Sequence, residues 1–478
     1  MVKIIDLPGI LVDRQRLLEL ARFFSKYEGT CLLYSGDASA AAAANTHSFL
    51  CLFPFETVEH YASSKLSGCI NPWDLLKMVL KKPDQPHPFP EWVGFLSYEM
   101  GAYAFDKNFG PVDIENANSQ QPLPDYYFQR CSLVIEINHQ NNNVCMIVAE
   151  GKPEMGPLES QWIESLSDPR FWPGFFRRLG GPLIGSPPEK SDYELFSSEP
   201  VESYCNKVLQ AQEWIRAGDI YQLNLSHQLI FKGKGDGFQI FEDLATKNPA
   251  PFSSYLNHKD FCVVSSSPES FLRKKLSSLE TRPIKGTAPR GLNPIEDAQN
   301  RERLLASEKE RSELLMIVDL MRNDLGKISS PGTVVTEKIW GCETYTNVFH
   351  LVATIKSELS PGWDPIDAVR ACFPGGSITG CPKLKSMEYI HKLENRRRNI
   401  YTGSIGYFSG DGDFDFNIAI RTLVLQGDKV NVQLGGAVVI DSDPNSEYAE
   451  TLHKGRSIFK ALGVDQHAFQ ITSVSCTK

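Results

Sequence analysis

The chain has 478 residues, with 49 Lys and Arg against 58 Asp and Glu, and a formal net charge of -9. A net acidic protein is poorly suited to non-specific binding of nucleic acid or anionic membranes. Its 41% hydrophobic and 22% charged residues are typical of a globular protein that buries large cores. The eleven cysteines include no CxxC pair, and no apolar run approaches a membrane span. We therefore expect a cytoplasmic protein.

The N-terminal part of the chain shows the periodicity of strands. Alternating apolar residues at 131–137 and 144–148 predict two strands joined by a turn at 139–143. Pro and Gly then cluster between residues 151 and 200, which predicts a long surface connection.

Longer helical patterns follow this connection. Residues 201–217 have apolar side chains at helical spacing and end at Gly218. A helix is predicted at 444–462, with Ser442 and Asp443 as candidate caps. The remaining predicted elements are one long helix at 295–325 and strands at 220–231, 417–425 and 429–439. We expect a mixed α+β protein with an N-terminal region at 1–180, a linker at 181–198 and a large unit at 199–465.

Two of the predicted helices carry pairs of carboxylates. Glu310 and Glu313 lie on the helix predicted at 295–325. Glu447 and Glu450 lie on the helix predicted at 444–462, with Lys454 one turn later. Residues three apart share a helix face. Such a pattern is most often a solvated surface. Facing carboxylate pairs can also hold Mg²⁺ together with water and substrate, so the spacing alone leaves both interpretations open.

Glycine-rich stretches are candidate ligand loops. The segment FPGGSITGCPK (373–383) fails the Walker pattern, because Cys381 follows its last glycine where a lysine is required. Its backbone amides could still bind an anion. Gly435 and Gly436 end a predicted strand and would permit the close approach of a ligand. A plain tight turn is the alternative for both stretches.

Lys285 is a candidate nucleophile. It lies in RPIKGT (282–287), and its nearest charges along the chain are Arg282 and Arg290. Cationic neighbours in a low-dielectric cleft would favour loss of its proton and make the amine reactive. The alternative is an ordinary surface lysine.

Together these segments carry a family resemblance. The motifs in question are SSPESF (266–271), RPIKGT (282–287), ELLMIVDLMRNDLG (313–326), FPGGSITGCPK (373–383), YTGSIGYF (401–408), AIRTL (419–423) and the helix with Glu447 and Glu450. They occur in the order seen in the chorismate-utilising enzymes, which the chain resembles over about 195–465. The N-terminal region resembles that of the members that are coupled to a glutamine amidotransferase.

The resemblance implies a fold, a cofactor and a substrate. The fold is a large mixed one in which antiparallel β-sheets pack face to face between flanking helices. Mg²⁺ would be held by Glu313 and Glu450, with Glu310 and Glu447 supporting it through water. The residues implied to bind chorismate are Gly286, Thr287, His350, Tyr401, Arg421, Gly435, Gly436 and Lys454.

Two positions narrow the reaction that the resemblance implies. Gln222 replaces the lysine base of the members that add water, and Gln cannot take a proton from water, so ammonia is the expected nucleophile. Lys285 replaces the alanine of the members that aminate ortho to the ring carboxylate. The lysine would add at C2 while Glu269 protonates the leaving 4-hydroxyl, which directs ammonia to C4. No stretch of the chain is spare for a glutaminase, so a separate glutamine amidotransferase subunit is the expected source of ammonia.

Other interpretations remain open at this point. The chain could be an ortho-aminating member, with Lys285 incidental, or a non-catalytic regulatory relative, although the intact acidic pairs argue against the second. The resemblance also implies a tryptophan pocket at Ser35, Pro251, Phe252 and Ser253. The basic and aromatic stretch expected after Ser35 is replaced by an alanine-rich run at 38–44.

Overall fold

Helices and antiparallel strands are interleaved along the chain. The computed structural model describes residues 2–36, 46–61, 70–80, 85–105, 122–150, 156–179 and 191–464. The helices are α1 (Arg14–Phe24), α2 (Pro72–Val79), α3 (Met100–Ala104), α4 (Pro157–Ser167), α5 (Phe171–Leu179), α6 (Val201–Arg216), α7 (Gly237–Lys247), α8 (Pro294–Ala306), α9 (Glu308–Gly326), α10 (Pro365–Cys372), α11 (Lys383–Glu394) and α12 (Pro444–Ala461). Within the described ranges, no helix is both long and apolar enough to cross a membrane.

The strands divide into two runs that share one strand, apart from a two-residue strand at Gly380–Cys381 that pairs with the strand at Gln222–Lys234. They are β1 (Val2–Asp6), β2 (Cys31–Tyr34), β3 (His47–His60), β4 (Pro90–Leu96), β5 (Tyr126–Asn138), β6 (Asn143–Ala149), β7 (Asp192–Ser198), β8 (Gln222–Lys234), β9 (Phe252–Asn257), β10 (Cys262–Ser267), β11 (Ser270–Lys275), β12 (Ser278–Arg282), β13 (Ile284–Pro289), β14 (Val335–Thr344), β15 (Val348–Glu358), β16 (Gly380–Cys381), β17 (Ser404–Ser409), β18 (Phe414–Asn417), β19 (Thr422–Gln426) and β20 (Lys429–Val438). The first run is β1-β6-β5-β3-β2-β9-β10-β19-β20-β8-β7. The second is β5-β4-β17-β18-β11-β12-β15-β14, with β13 beside β12 on β15.

Three apolar cores separate the layers of the fold. A central core takes Phe49 from the first run and Phe95 and Ile405 from the second, so the two sheets face each other across it. The outer face of the first run packs against α1, α4, α5, α7 and α12. The outer face of the second run packs against helices that include α2, α9, α10 and α11. Alternating strand residues supply both faces of each sheet, which explains why so many strands are buried on both sides.

Several elements agree with their sequence patterns. The hairpin of β5 and β6, the strand β20 and the helix α6 confirm the predictions for those segments. Asp443 caps α12, because its side chain accepts a hydrogen bond from the Ser446 amide at 2.9 Å. Gly218 and Gly463 follow α6 and α12 with φ of 81° and 75°, conformations that glycine adopts without steric cost.

The prediction of one continuous helix at 295–325 is wrong. The chain leaves helical geometry at Ser307, whose φ and ψ are -68° and 109°, and α9 starts there. The Ser307 side chain accepts a hydrogen bond from the Glu310 amide at 3.4 Å, which caps the new helix. The spacing of Ser307 and Glu310 is the sequence signature of such a cap, and apolar periodicity alone does not reveal it.

The prediction of a long irregular connection at 151–200 is also wrong for much of its length. Helices α4 and α5 occupy residues 157–179 and bury Leu166, Trp172 and Phe175 against α1 and the first sheet. Burial of their aromatic residues stabilises these helices despite the local Pro and Gly content. Within the predicted linker at 181–198, residues 192–198 form β7 and pair with β8. Residues 181–190 of that linker lie outside the described residues.

The predicted strand at 417–425 is interrupted. Strand β18 ends at Asn417 and β19 begins at Thr422. Arg421 has a φ of 51°, in the left-handed region, so the backbone turns just before β19. This break gives Arg421 a conformation that a continuous strand would not allow.

Candidate active site

The carboxyl group of Glu269 is buried where the chain passes from the first run of strands to the second. Glu269 lies in the turn from β10 to β11 and is 5% exposed. The Ile284 amide donates to its Oε1 at 3.5 Å, and the Ser377 hydroxyl donates to the same carboxylate. Burial raises the pKa of Glu269 to about 7, although both donors and the charge of Lys285 act to lower it. A carboxyl group with a pKa of about 7 is protonated in about half of the molecules at neutral pH, so a proton is available for general acid catalysis.

Lys285 lies in a partly buried, acidic environment. Its Nζ is 4.0 Å from Glu313 Oε2, and the two side chains are 14% and 17% exposed. The cationic neighbourhood expected from the sequence is wrong. Arg282 forms an ion pair with Glu343, and Arg290 Nε is 2.8 Å from Asp297 Oδ1. The opposite charges around Lys285 come from α9 and α12, which are remote in sequence.

The four carboxylates of α9 and α12 share one electrostatic environment. Burial raises the pKa of Glu310, and the charges of Glu313 and Glu450 raise it further. Burial and the charge of Glu450 raise the pKa of Glu447, although the Ser442 hydroxyl donates to its Oε1 at 2.6 Å. Burial opposes ionisation of Glu450, but Lys454, at 2.8 Å, brings the net pKa below its usual value. The two predicted pairs therefore face a common space.

This carboxylate set fits the donor chemistry of Mg²⁺. Among the described residues, no three His, Cys, Asp or Glu side chains converge closely enough to hold a metal by themselves. Mg²⁺ typically takes only one or two protein carboxylates and completes its octahedron with water and substrate. The mutual repulsion that raises the pKa of Glu310 is also what a divalent cation would relieve.

Gly286, Thr287, His350 and Arg421 lie next to one another, and Gly286 also adjoins Glu310. Gly286 has a φ of 79°, which other residues rarely adopt, and a Cβ there would lie 2.9 Å from Glu310 Oε2. Thr287 Oγ1 is 2.9 Å from His350 Nδ1. Burial and the Arg421 charge lower the pKa of His350 to about 3, so the imidazole is neutral.

Arg421 is a partly buried cation, and no carboxylate among the described residues compensates its charge. Desolvation lowers the pKa of its guanidinium, and no acidic side chain within the described part of the chain offsets that effect. An uncompensated charge that is shielded from water is costly, whereas an anionic ligand would satisfy it through a bidentate contact. Arg421 therefore marks a place for a carboxylate supplied from outside the chain.

The remaining predicted substrate residues line β20 and the adjoining loop. A Cβ on Gly435 would lie 2.7 Å from the Tyr401 hydroxyl, and one on Gly436 would lie 3.5 Å from Glu447 Oε2. Lys454 Nζ donates to the Gly435 carbonyl at 3.2 Å. Burial raises the pKa of Tyr401 to about 12, so its hydroxyl remains a donor. These contacts bring Tyr401, both glycines and Lys454 to the α12 side of the site.

The predicted effector residues come together at a different place. Strands β2 and β9 pair with Tyr34 opposite Ser253, which brings Ser35 next to Pro251 and Phe252. Ser35 is buried, and its amide donates to Ser48 Oγ at 3.0 Å. The alanine-rich run at 38–44 lies outside the described residues. Occupation of this pocket by tryptophan stays a prediction.

The sequence patterns did not predict the contact between Ser377 and Glu269. Ser377 lies in a 3-10 turn at Gly376–Ile378, a segment that the sequence singled out for its glycines. Gln222, which the sequence did single out, is buried, and its Oε1 has no hydrogen-bond partner in the described part of the protein. A cavity of about 730 Å³ lies on another face of α9, lined by Leu315, Asp319 and Lys383 among others, and none of the predicted site residues lines it.

Comparison with known proteins agrees with this geometry. A family model of chorismate binding enzymes matches residues 31–460. The chain is 34% identical over 398 residues to aminodeoxychorismate synthase component 1 of Bacillus subtilis, covering 80% of both chains. It is 36% identical over 388 residues to anthranilate synthase component 1 of Thermus thermophilus, covering 80% of this chain and 79% of that one. Anthranilate synthase component I from Streptococcus pneumoniae superposes with a TM-score of 0.71 at 27% identity, covering 86% of this chain and 92% of that one.

The chain belongs to the chorismate-binding enzyme family. The predicted fold, with antiparallel sheets packed face to face between helices, is confirmed by this structural likeness. Relatives with two different product specificities are similar to the chain at nearly the same identity. The class is therefore a chorismate-utilising enzyme, and the choice between its reactions depends on the residues of the site.

Proposed function

We propose that this protein is an aminodeoxychorismate synthase component I, which converts chorismate and ammonia into 4-amino-4-deoxychorismate. The observation that carries the proposal is the position of Lys285, whose charge acts on Glu269 and whose Nζ lies 4.0 Å from Glu313. A primary amine and a proton donor thus share one enclosed site. This is the pair of groups that a covalent amination at C4 requires.

The substrate would be anchored at both of its carboxylates. Arg421 and Tyr401 suit the enolpyruvyl carboxylate, because Arg421 offers a partly buried positive charge and Tyr401 offers a hydroxyl donor. Gly286 and Thr287 would hold the ring carboxylate beside the acidic pairs. Mg²⁺ bound by Glu313 and Glu450, with Glu310 and Glu447 behind water, would supply the positive charge that this carboxylate needs.

Two side chains would carry the proton and the covalent bond. Lys285, reacting as the neutral amine, forms a bond at C2, both double bonds of the ring diene shift, and the C4–oxygen bond breaks. Glu269 gives its proton to the departing oxygen, so that water leaves rather than hydroxide. Ammonia then forms a bond at C4, both double bonds shift back, and the C2–Lys285 bond breaks to release the neutral amine. Glu269, now ionised, would take up the proton that the incoming nitrogen loses.

The ammonia would come from a separate subunit. The relatives whose names end in component 1 imply an amidotransferase partner, and we propose the same division of labour here.

Anthranilate synthesis is the second candidate. It is favoured by the acidic surroundings of Lys285, since an ammonium held by Glu313 could serve only to neutralise charge. Anthranilate synthase component 1 of Thermus thermophilus is 36% identical to the chain. In this alternative, ammonia attacks C2 directly and Lys285 forms no bond.

The decisive experiment identifies the product. The purified protein is incubated with chorismate, Mg²⁺ and an ammonium salt at mildly alkaline pH, and products are separated and identified by mass and ultraviolet spectrum. We expect 4-amino-4-deoxychorismate, and none when EDTA replaces Mg²⁺. Anthranilate as the main product would replace the proposal with the second candidate. No amination at all, with chorismate still bound, would favour a regulatory relative.

A further inference from the structure

The contact between Ser377 and Glu269 depends on a loop with no regular structure of its own. Residues 373–382 connect α10 to α11 and include only the 3-10 turn and the two-residue strand β16. Ser377 is buried in that turn, and its hydroxyl donates to the Glu269 carboxylate. Side-chain contacts must therefore fix the position of this loop relative to Glu269.

One buried ammonium group ties the loop together. Lys383, the first residue of α11, is 6% exposed, and its Nζ donates to the carbonyls of Cys372 at 2.8 Å and Pro374 at 2.6 Å. It thereby joins the end of the loop to its beginning. The third acceptor is Asp324 Oδ2 on α9, at 2.5 Å, and this carboxylate is 2% exposed. All three donors of the ammonium are used.

The ion pair also connects the loop to the helix that carries the acidic pair. Asp324 and Glu313 both belong to α9, so Lys383 sets the loop against the same rigid element that faces Lys285. The packing between them is close, because a Cβ on Gly376 would lie 2.8 Å from Leu320 of α9. Movement of the loop relative to α9 would therefore break directional polar contacts and also disturb close packing.

Stability alone is a poor reason for such a pair. A buried ion pair loses much of its Coulombic gain to desolvation, and apolar residues of similar volume often serve the fold equally well. An apolar pair, however, forms no directional hydrogen bonds. The three acceptors fix the position of the Lys383 ammonium, and the ammonium in turn fixes the two ends of the loop.

We propose that the buried Lys383–Asp324 pair is a positioning device that holds Ser377 against Glu269 for the proton transfer. Lys383 touches neither substrate nor the reacting atoms and acts only through the loop. The effect on turnover rests on the proposed function, whereas the effect on the loop does not.

The first test is a double-mutant cycle of Lys383→Met and Ser377→Ala, assayed by chorismate amination with ammonium. A misplacement of about 1 Å can cost on the order of 10²-fold. We expect each single variant to lower kcat by roughly ten- to a hundredfold and to leave KM within about threefold. The double variant should be no slower than the worse single variant, since both remove the same contact. Independent, multiplying losses, or wild-type kcat in a folded Lys383→Met, would overturn the proposal.

Lys327→Met is the matched control. Lys327 pairs with the other oxygen of Asp324, at 2.9 Å, but its side chain is 43% exposed and forms no hydrogen bond or ion pair with the described residues of the loop. Its removal should leave kcat unchanged. If Lys383→Met does not fold, Asp324→Asn takes its place, because it keeps the two carbonyl contacts of Lys383. A folded Asp324→Asn with wild-type kcat would equally overturn the proposal.

A second measurement does not need turnover. Hydrogen exchange followed by mass spectrometry should show faster exchange in the peptide covering 373–382 for Lys383→Met, and no change for Lys327→Met. Unchanged exchange in Lys383→Met would refute the positioning role. If the 373–382 peptide exchanges faster in Lys383→Met but the wild-type protein does not aminate chorismate, the proposed function is wrong and the role of the Lys383–Asp324 pair in holding the loop stands.

Discussion

Replacing Glu269 with Gln should lower activity and raise stability, and the two effects have the same cause. Burial raises the pKa of Glu269 from its ordinary 4.5 to about 7. The unfolded chain releases this proton near pH 4.5, whereas the folded chain keeps it until about pH 7. Stability is therefore lost as pH rises through this window. At about 1.4 kcal/mol per pKa unit, the full loss amounts to about 3 kcal/mol above neutral pH.

Gln keeps the acceptor for Ile284 and Ser377 but cannot ionise or donate an acidic proton. We expect the free energy of unfolding of Glu269→Gln, measured by urea titration, to exceed that of the wild type by up to about 3 kcal/mol at pH 8 and by much less at pH 5. Turnover with ammonium should fall by about 10²–10⁴, the usual contribution of a general acid.

Glu280→Gln is the control for this experiment, because it makes the same chemical change on β12, outside the site. Its turnover should match the wild type. The reasoning is refuted if Glu269→Gln turns over within tenfold of the wild type. It is also refuted if the stability difference is the same at pH 5 and pH 8.

Three further changes test the rest of the site. Lys285→Ala should abolish formation of 4-amino-4-deoxychorismate while chorismate still binds, and a wild-type rate in this variant would exclude covalent catalysis. Wild-type protein incubated with chorismate and Mg²⁺ but no ammonia should show an adduct on the Lys285 peptide. Glu313→Gln should remove Mg²⁺-dependent turnover with little change in the urea midpoint, and near-normal activity of the wild type in EDTA would contradict the metal assignment. Arg421→Met should raise KM for chorismate by roughly ten- to a hundredfold, since a hydrogen bond to a charged group contributes about 1.5–3 kcal/mol; an unchanged KM would place the enolpyruvyl carboxylate elsewhere.

Local patterns predicted those parts of the fold that depend on neighbouring residues. The hairpin of β5 and β6 and the helices α6 and α12 follow from their own periodicity and caps. The failures also have local explanations. Ser307 interrupts the predicted helix by capping α9, and the aromatic residues of α4 and α5 turn a Pro- and Gly-rich segment into packed helices.

Many motifs in one order identify the family from the amino-acid sequence alone. Helical pitch likewise suffices to predict that each carboxylate pair shares a helix face. The protonation and charge environment of those groups depends instead on how distant segments pack. The pKa of Glu269 depends on burial and on Ser377, which lies 108 residues further along the chain. Lys285 faces carboxylates from α9 and α12 rather than the arginines beside it in sequence. Burial and long-range charge arise from packing between distant segments, and no local pattern encodes them.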